Sequence, residues 1–166
     1  MLSPNMVMYE EEFQKLKTII ARLRSDANAK IVFLVDKNGQ PIAAHGDIEN
    51  LDTTSLASLT AGNVAASDGL AKLIGEKEFL VIHGEGKKDN IHITIVAQRI
   101  ILVVIFDDRS SLGLVRLRVK KASVELTQVF DQILTKVEKE KEAMGAGFES
   151  PFSEITDEDI DNLFSE

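Results

Sequence analysis

The sequence predicts an α/β chain of the α+β type, with elements in the order α-β-β-α-β-β-β-α. Three observations carry this. An amphipathic segment opens the chain, and a long heptad-like one closes the body. Short apolar runs bounded by turn signals lie between them. A helix-length stretch from Asp52 to Lys72 divides those runs and carries almost no charge.

The first helix is expected over Tyr9 to Ala27, where Tyr9, Phe13, Leu16, Ile19, Ile20 and Leu23 recur at steps of three and four. Glu10 to Glu12 begin it, and Arg22 and Arg24 end it, as the helix dipole favours. Ile31 to Val35 reads as a fully apolar strand and Gln40 to His45 as its hairpin partner across Lys37-Asn38-Gly39. Pro41 places that partner at a sheet edge, since proline cannot donate to a central ladder. Three further strands are expected at Phe79 to His83, Ile91 to Ala97 and Ile100 to Phe106, with Gln98-Arg99 as a tight turn. The last of these is apolar throughout, which suits a central strand with helices on both faces. Ser110 or Ser111 can cap the final helix. Its seam runs through Leu112, Val115, Val119, Ala122, Leu126, Val129, Ile133 and Val137.

The body is expected over residues 1–142, followed by a flexible linker over 143–151 and an acidic amphipathic segment over 152–166. Ser150 to Glu166 hold six acids and no Lys or Arg, so removing them from the net charge of −8 leaves −2 on the rest. An acidic tail on a near-neutral body argues against nucleic acid and anionic membranes as partners. Thr156 and Asp159 sit at a capping spacing, and Ile160, Leu163 and Phe164 form an apolar edge. A peptide that folds into a groove on binding fits this pattern better than a solubilising tail. There is no basic-then-apolar leader, and the longest apolar run, Ile100 to Phe106, is too short for a span of about 20 residues. Cysteine is absent, which excludes disulfides and thiolate chemistry and fits a cytoplasmic location.

The neutral helix is the informative element. Asp52 can cap it and Gly75 can end it in a left-handed turn. On a helical wheel Leu56, Leu59, Ala66, Leu70, Leu73 and Ile74 fall on one side, expected to face the core. Thr54, Ser58, Ala61, Gly62, Ala65, Asp68, Gly69 and Lys72 fall on the other. That outer side is small, smooth and nearly uncharged, unlike a face in water. It reads as a binding face. A helix buried on both sides within one domain would look the same, but the chain is short for a third layer.

Catalytic chemistry is sparse. His45, His83 and His92 all fall in strand candidates without a partner at ligand spacing. Asp36-Lys-Asn-Gly39 lacks the spacing of a calcium loop, and Gly84-Glu-Gly86-Lys-Lys88 lacks that of a phosphate loop. No metal, cofactor or nucleotide site is expected. Arg116, Arg118, Lys120 and Lys121, with Lys15, Lys17, Arg22 and Arg24, form basic helix faces. These are solvated faces by default, or contacts for an acidic partner or the acidic tail.

Several segments go further. They are Val7-Met-Tyr-Glu-Glu-Glu-Phe13, Asp26-Ala-Asn-Ala-Lys30, Val35-Asp-Lys-Asn-Gly39, Asp52 to Ala66, Ser111-Leu-Gly-Leu-Val-Arg-Leu-Arg118 and Asp159-Ile-Asp-Asn-Leu-Phe-Ser-Glu166. Together they closely resemble the bacterial gliding-motility branch of the Roadblock/dynein light chain family, over nearly the whole chain. The resemblance implies a Roadblock/longin-like fold, a five-stranded antiparallel sheet sandwiched between helices, with an acidic tail helix. It implies a homodimer that stimulates GTP hydrolysis by a Ras-like small GTPase of the MglA type in cell polarity, concentrated at a cell pole, with polar recruitment proteins as further partners. Such a regulator is not itself an enzyme, and GTP and magnesium belong to the GTPase. The second helices of the two protomers would form the docking platform, here including Thr54, Ser58, Ala61, Ala65, Asp68 and Gly69. Ile155, Asp157, Asp159, Ile160, Leu163 and Phe164 match a C-terminal segment that reaches the GTPase and modulates nucleotide exchange. The alternative is a dimeric scaffold of the same family with no effect on any reaction.

Overall fold

The computed structural model describes residues 9–147. Helix α1 (Glu10–Asp26) is followed by strands β1 (Ile31–Asp36) and β2 (Pro41–Gly46), and helix α2 (Thr53–Leu73) by β3 (Val81–Glu85), β4 (Asn90–Val96) and β5 (Ile100–Phe106). Helix α3 (Leu112–Gly147) completes the expected order. The chain divides into two compact units, Met1–Phe130 and Asp131–Glu166. The first holds α1, α2, the whole sheet and the first part of α3. In the second, the described residues continue α3.

The sheet is antiparallel throughout, in the order β2-β1-β5-β4-β3. The hairpin and the three-stranded meander therefore join through β1 and β5, with Ile31 opposite Ile105 and Leu34 opposite Leu102. As expected, β5 is central, and it is the strand buried most evenly on both faces. Pro41 lies at the start of an edge strand, beside a register shift between Leu34 and Val35. The β1–β2 turn is held by the Asp36 carboxylate, which accepts from the backbone of Asn38 and Gln40 at 2.9 Å. Gly39 supplies the left-handed residue at φ 88°. The β4–β5 turn places Ala97 and Gln98 at φ 51° and 63°, the mirror-type turn that matches strand twist.

Alternation along the strands defines two cores. Ile31, Phe33, Val35, Ile93, Ile101 and Val103 form a cluster with Ala57 and Val64 of α2. The intervening Val32, Leu34, Leu102 and Val104 point to the opposite face, where Leu16, Ile20, Leu23, Val115, Val119 and Leu126 supply the buried residues of α1 and α3. The seam read from the sequence is thus buried from Val115 through Val129, with Leu112 half-buried at its start.

Two boundaries differ clearly from expectation. Strand β3 begins at Val81, paired with Thr94, rather than at Phe79, although Leu80 still accepts a bond from the Ile95 amide at 3.2 Å. Helix α3 runs through Gly147 and so occupies part of the segment read as a linker, since Ala143 and Met144 are strong helix formers that carry it past Gly145. The remainder of that linker and the whole segment 152–166, with Ile155, Asp157, Asp159, Ile160, Leu163 and Phe164, lie outside the described residues.

Candidate protein-docking surface

Local chemistry fixes α2 at both ends. The Asp52 carboxylate accepts from the Ser55 amide at 3.0 Å and from the Ser55 hydroxyl at 2.6 Å. These bonds hold its pKa below the ordinary carboxylate range. At the other end Gly75 adopts φ 85°, while Gly75 donates to the Lys72 carbonyl and Glu76 to that of Ala71. This is a closing left-handed cap.

The orientation of the helix corrects the sequence reading. Its buried residues are Ala57, Thr60, Val64 and Ala71. Leu59, Leu70, Leu73 and Ile74, expected against the core, stand 73%, 61%, 84% and 70% exposed. Ala66 is exposed with them, and only Leu56 of the expected inner set packs against the core cluster. Relative to the expected wheel the helix is rotated by about a third of a turn. The first half of the helix lies against the hairpin turn. A Cβ on Gly39 would meet the Cα of Ser58 at 3.4 Å and the Cβ of Ala61 at 3.6 Å, so small residues suit this contact. Large aliphatic residues are displaced outward.

The eight outer-face residues divide accordingly. Thr54, Ser58, Gly62, Ala65, Gly69 and Lys72 are exposed, whereas Ala61 and Asp68 are half-buried toward the body. A Cβ at Gly62 or Gly69 would meet nothing within 4 Å. The free side of α2 is therefore a shallow apolar surface, with Gly62, Ala66 and Gly69 as its floor and the leucines as raised edges. Leaving a large aliphatic side chain in water forgoes about 1–2 kcal/mol at these exposures, so covering four of them is strongly favourable. The signal available in the sequence was the spacing of Ala57, Thr60, Val64 and Ala71, a narrow stripe of small residues.

A second feature adjoins the helix. Strand β3 is a sheet edge and, unlike β2, contains neither proline nor a bulge; its Val-Ile-His-Gly-Glu run has no lysine. Such an edge is a template for pairing with another strand. On the α2 side of the sheet, Ile82, Ile91 and Ile95 beside this edge are only partly buried.

His92 is 1% exposed, and burial, with His83 and Arg116 nearby, lowers its pKa to about 4. It is neutral at physiological pH and bonds through Nδ1 with the Thr94 hydroxyl at 3.2 Å. Among the described residues no group of three or more His, Cys, Asp or Glu is placed to hold a metal ion, and no helix is long and apolar enough to cross a membrane.

This sandwich, with a nearly uncharged helix face and an open strand edge, is that of a known family: residues 15–106 match the Roadblock/LC7 domain, and the chain belongs to that family. Within it the chain is MglB-like. It is 65% identical to the solved structure of Myxococcus xanthus MglB, with a TM-score of 0.72 over 75% of this chain and 94% of that one. The gliding protein MglB of Thermus thermophilus is 27% identical, with a TM-score of 0.69 over 73% of this chain and 92% of the other. A structure described as MglB with tetrameric arrangement is 25% identical, with a TM-score of 0.69 over 74% and 92%. Comparison with curated proteins gives no match.

Proposed function

We propose that this chain is a homodimeric activator of GTP hydrolysis by a Ras-like small GTPase of the MglA type, acting in cell polarity and gliding motility. The observation that carries the reading is the free face of α2, where four large aliphatic residues surround a floor of glycine and alanine. Pairing of the β3 edge with β3 of a second copy would extend the sheet. It would also bring two α2 helices over the joint, and would cover the half-buried isoleucines beside β3. The two helices together offer a broad platform to one GTPase.

The chemistry follows from what this face lacks. No arginine projects from α2, so the protein supplies no finger for the charge that develops at the γ-phosphate. Stimulation then comes from preferential binding to the switch conformation that aligns the GTPase's own groups with the attacking water. GTP and magnesium are held by the GTPase. The acidic segment 152–166, through Ile155, Ile160, Leu163 and Phe164, is assigned to a separate contact on the GTPase that modulates nucleotide exchange.

The test is GTP turnover by an MglA-type GTPase with the full chain and with the Ala65→Arg, Gly69→Arg double variant. Both positions are exposed, so the body should fold unchanged while the long side chains block docking. Stimulation should disappear. Retained stimulation removes this face from the mechanism, and no stimulation by the unaltered chain assigns it to a scaffold instead.

A further inference from the structure

On the face of the sheet away from α2, a groove of about 720 Å³ lies between β3–β4 and the first part of α3. Its apolar walls include Leu80, Val81 and Leu117, exposed by 62%, 41% and 61%. Arg116 and Lys120 stand on its α3 side, and among the described residues no acidic residue lines it. Neither cation has an ion-pair partner among the described residues, whereas Arg22 and Arg24 are paired with Glu125 and Asp47. His92 and Ser123 also line it, and among the described residues the buried His92 Nε2 and Ser123 hydroxyl have no hydrogen-bond partner. Because His92 is held neutral, its Nε2 takes or gives a bond according to tautomer and adds no repulsion to either sign of charge.

We propose that this groove docks an acidic amphipathic helix from a partner protein, with apolar residues seated against Leu80, Val81 and Leu117 and carboxylates against Arg116 and Lys120. The charge distribution selects the occupant. A second copy placed face to face would bring Arg116 and Lys120 toward their own like charges, because a two-fold interface repeats the same patch. An acidic helix meets the complementary field and an apolar floor at once. The groove lies on the face of the sheet opposite α2.

The probe is a labelled synthetic peptide with the sequence of residues 150–166, which carries six acids and no Lys or Arg, followed by fluorescence anisotropy with the full chain. Saturable binding is expected. It should weaken at least tenfold in Arg116→Glu, Lys120→Glu and, independently, in Leu117→Asp, with circular dichroism melts unchanged because all three residues are exposed. Replacing the peptide's acids by Asn and Gln should also abolish it. Absence of binding, or binding indifferent to both variants, overturns the proposal. Binding that emerges only in a full chain carrying Leu163→Asp and Phe164→Asp assigns the groove to the protein's own segment and overturns the partner reading. A change in native mass on charge reversal makes the groove an interface between copies, with the same consequence.

Discussion

Leu70 and Leu73 stand 61% and 84% exposed on α2, and the account requires that both be covered when the protein assembles. Replacing both with glutamine keeps side-chain length and nearly the same helix propensity, so the isolated fold should lose less than about 0.5 kcal/mol. Complete burial of a leucine side chain is worth about 1.5–3 kcal/mol. Scaled by the fractions that are open here, the two residues supply about 3 kcal/mol per helix to any interface that covers them. At about 1.4 kcal/mol per tenfold, the double variant should weaken self-association by roughly a hundredfold or more. Sedimentation velocity across a concentration series reads this directly, and a thermal melt confirms that the fold is intact. An unchanged dissociation constant would refute the reasoning, since it would mean that neither leucine leaves water on assembly.

Three further outcomes follow from particular contacts. Asp52→Ala removes the bonds to the Ser55 amide and hydroxyl and should cost about 1 kcal/mol in denaturant unfolding, whereas Asp52→Asn should cost less. Gly39→Ala forces a side chain into φ 88° and against Ser58, and should cost about 1–2 kcal/mol, read from the midpoint of the same titration. His92, with its folded pKa near 4 against 6.5 when free, binds its proton more weakly folded than unfolded. Its contribution is therefore complete above pH 6.5 and is lost as pH falls toward 4. The loss should be of the order of 2 kcal/mol, allowing for the open groove alongside, and should vanish in His92→Phe when stability is followed against pH.

Much of the fold was legible because local chemistry and global packing agree along most of the chain. The apolar run Ile100–Phe106 could only be a strand buried on both faces, and it is β5. Pro41 marked an edge, and Asp52 and Gly75 marked the ends of α2. The orientation of α2 was not legible from hydrophobicity. A wheel assumes that the largest apolar residues face the core, but here Ala57, Thr60, Val64 and Ala71 do, and the hairpin glycine Gly39 lies against Ser58 and Ala61. Part of that contact lies in the hairpin turn, earlier in the chain, and its local trace is the stripe of Ala57, Thr60, Val64 and Ala71. The charge-poor character of the helix is what the sequence did report, and the structure leaves most of that side exposed. The groove beside α3 was equally hidden, since it depends on the β3–β4 register and on Leu117 turning away from the seam that Val115 and Val119 bury.

Hydroxyl-radical footprinting of the full chain addresses the α2 face most directly. Reactivity at Leu59, Leu70, Leu73 and Ile74 should fall as concentration passes the self-association constant, and fall again when a GTP-loaded MglA-type GTPase is added. Full reactivity at all four residues through both steps would contradict the account, because the surface would then remain in water in every state of the protein.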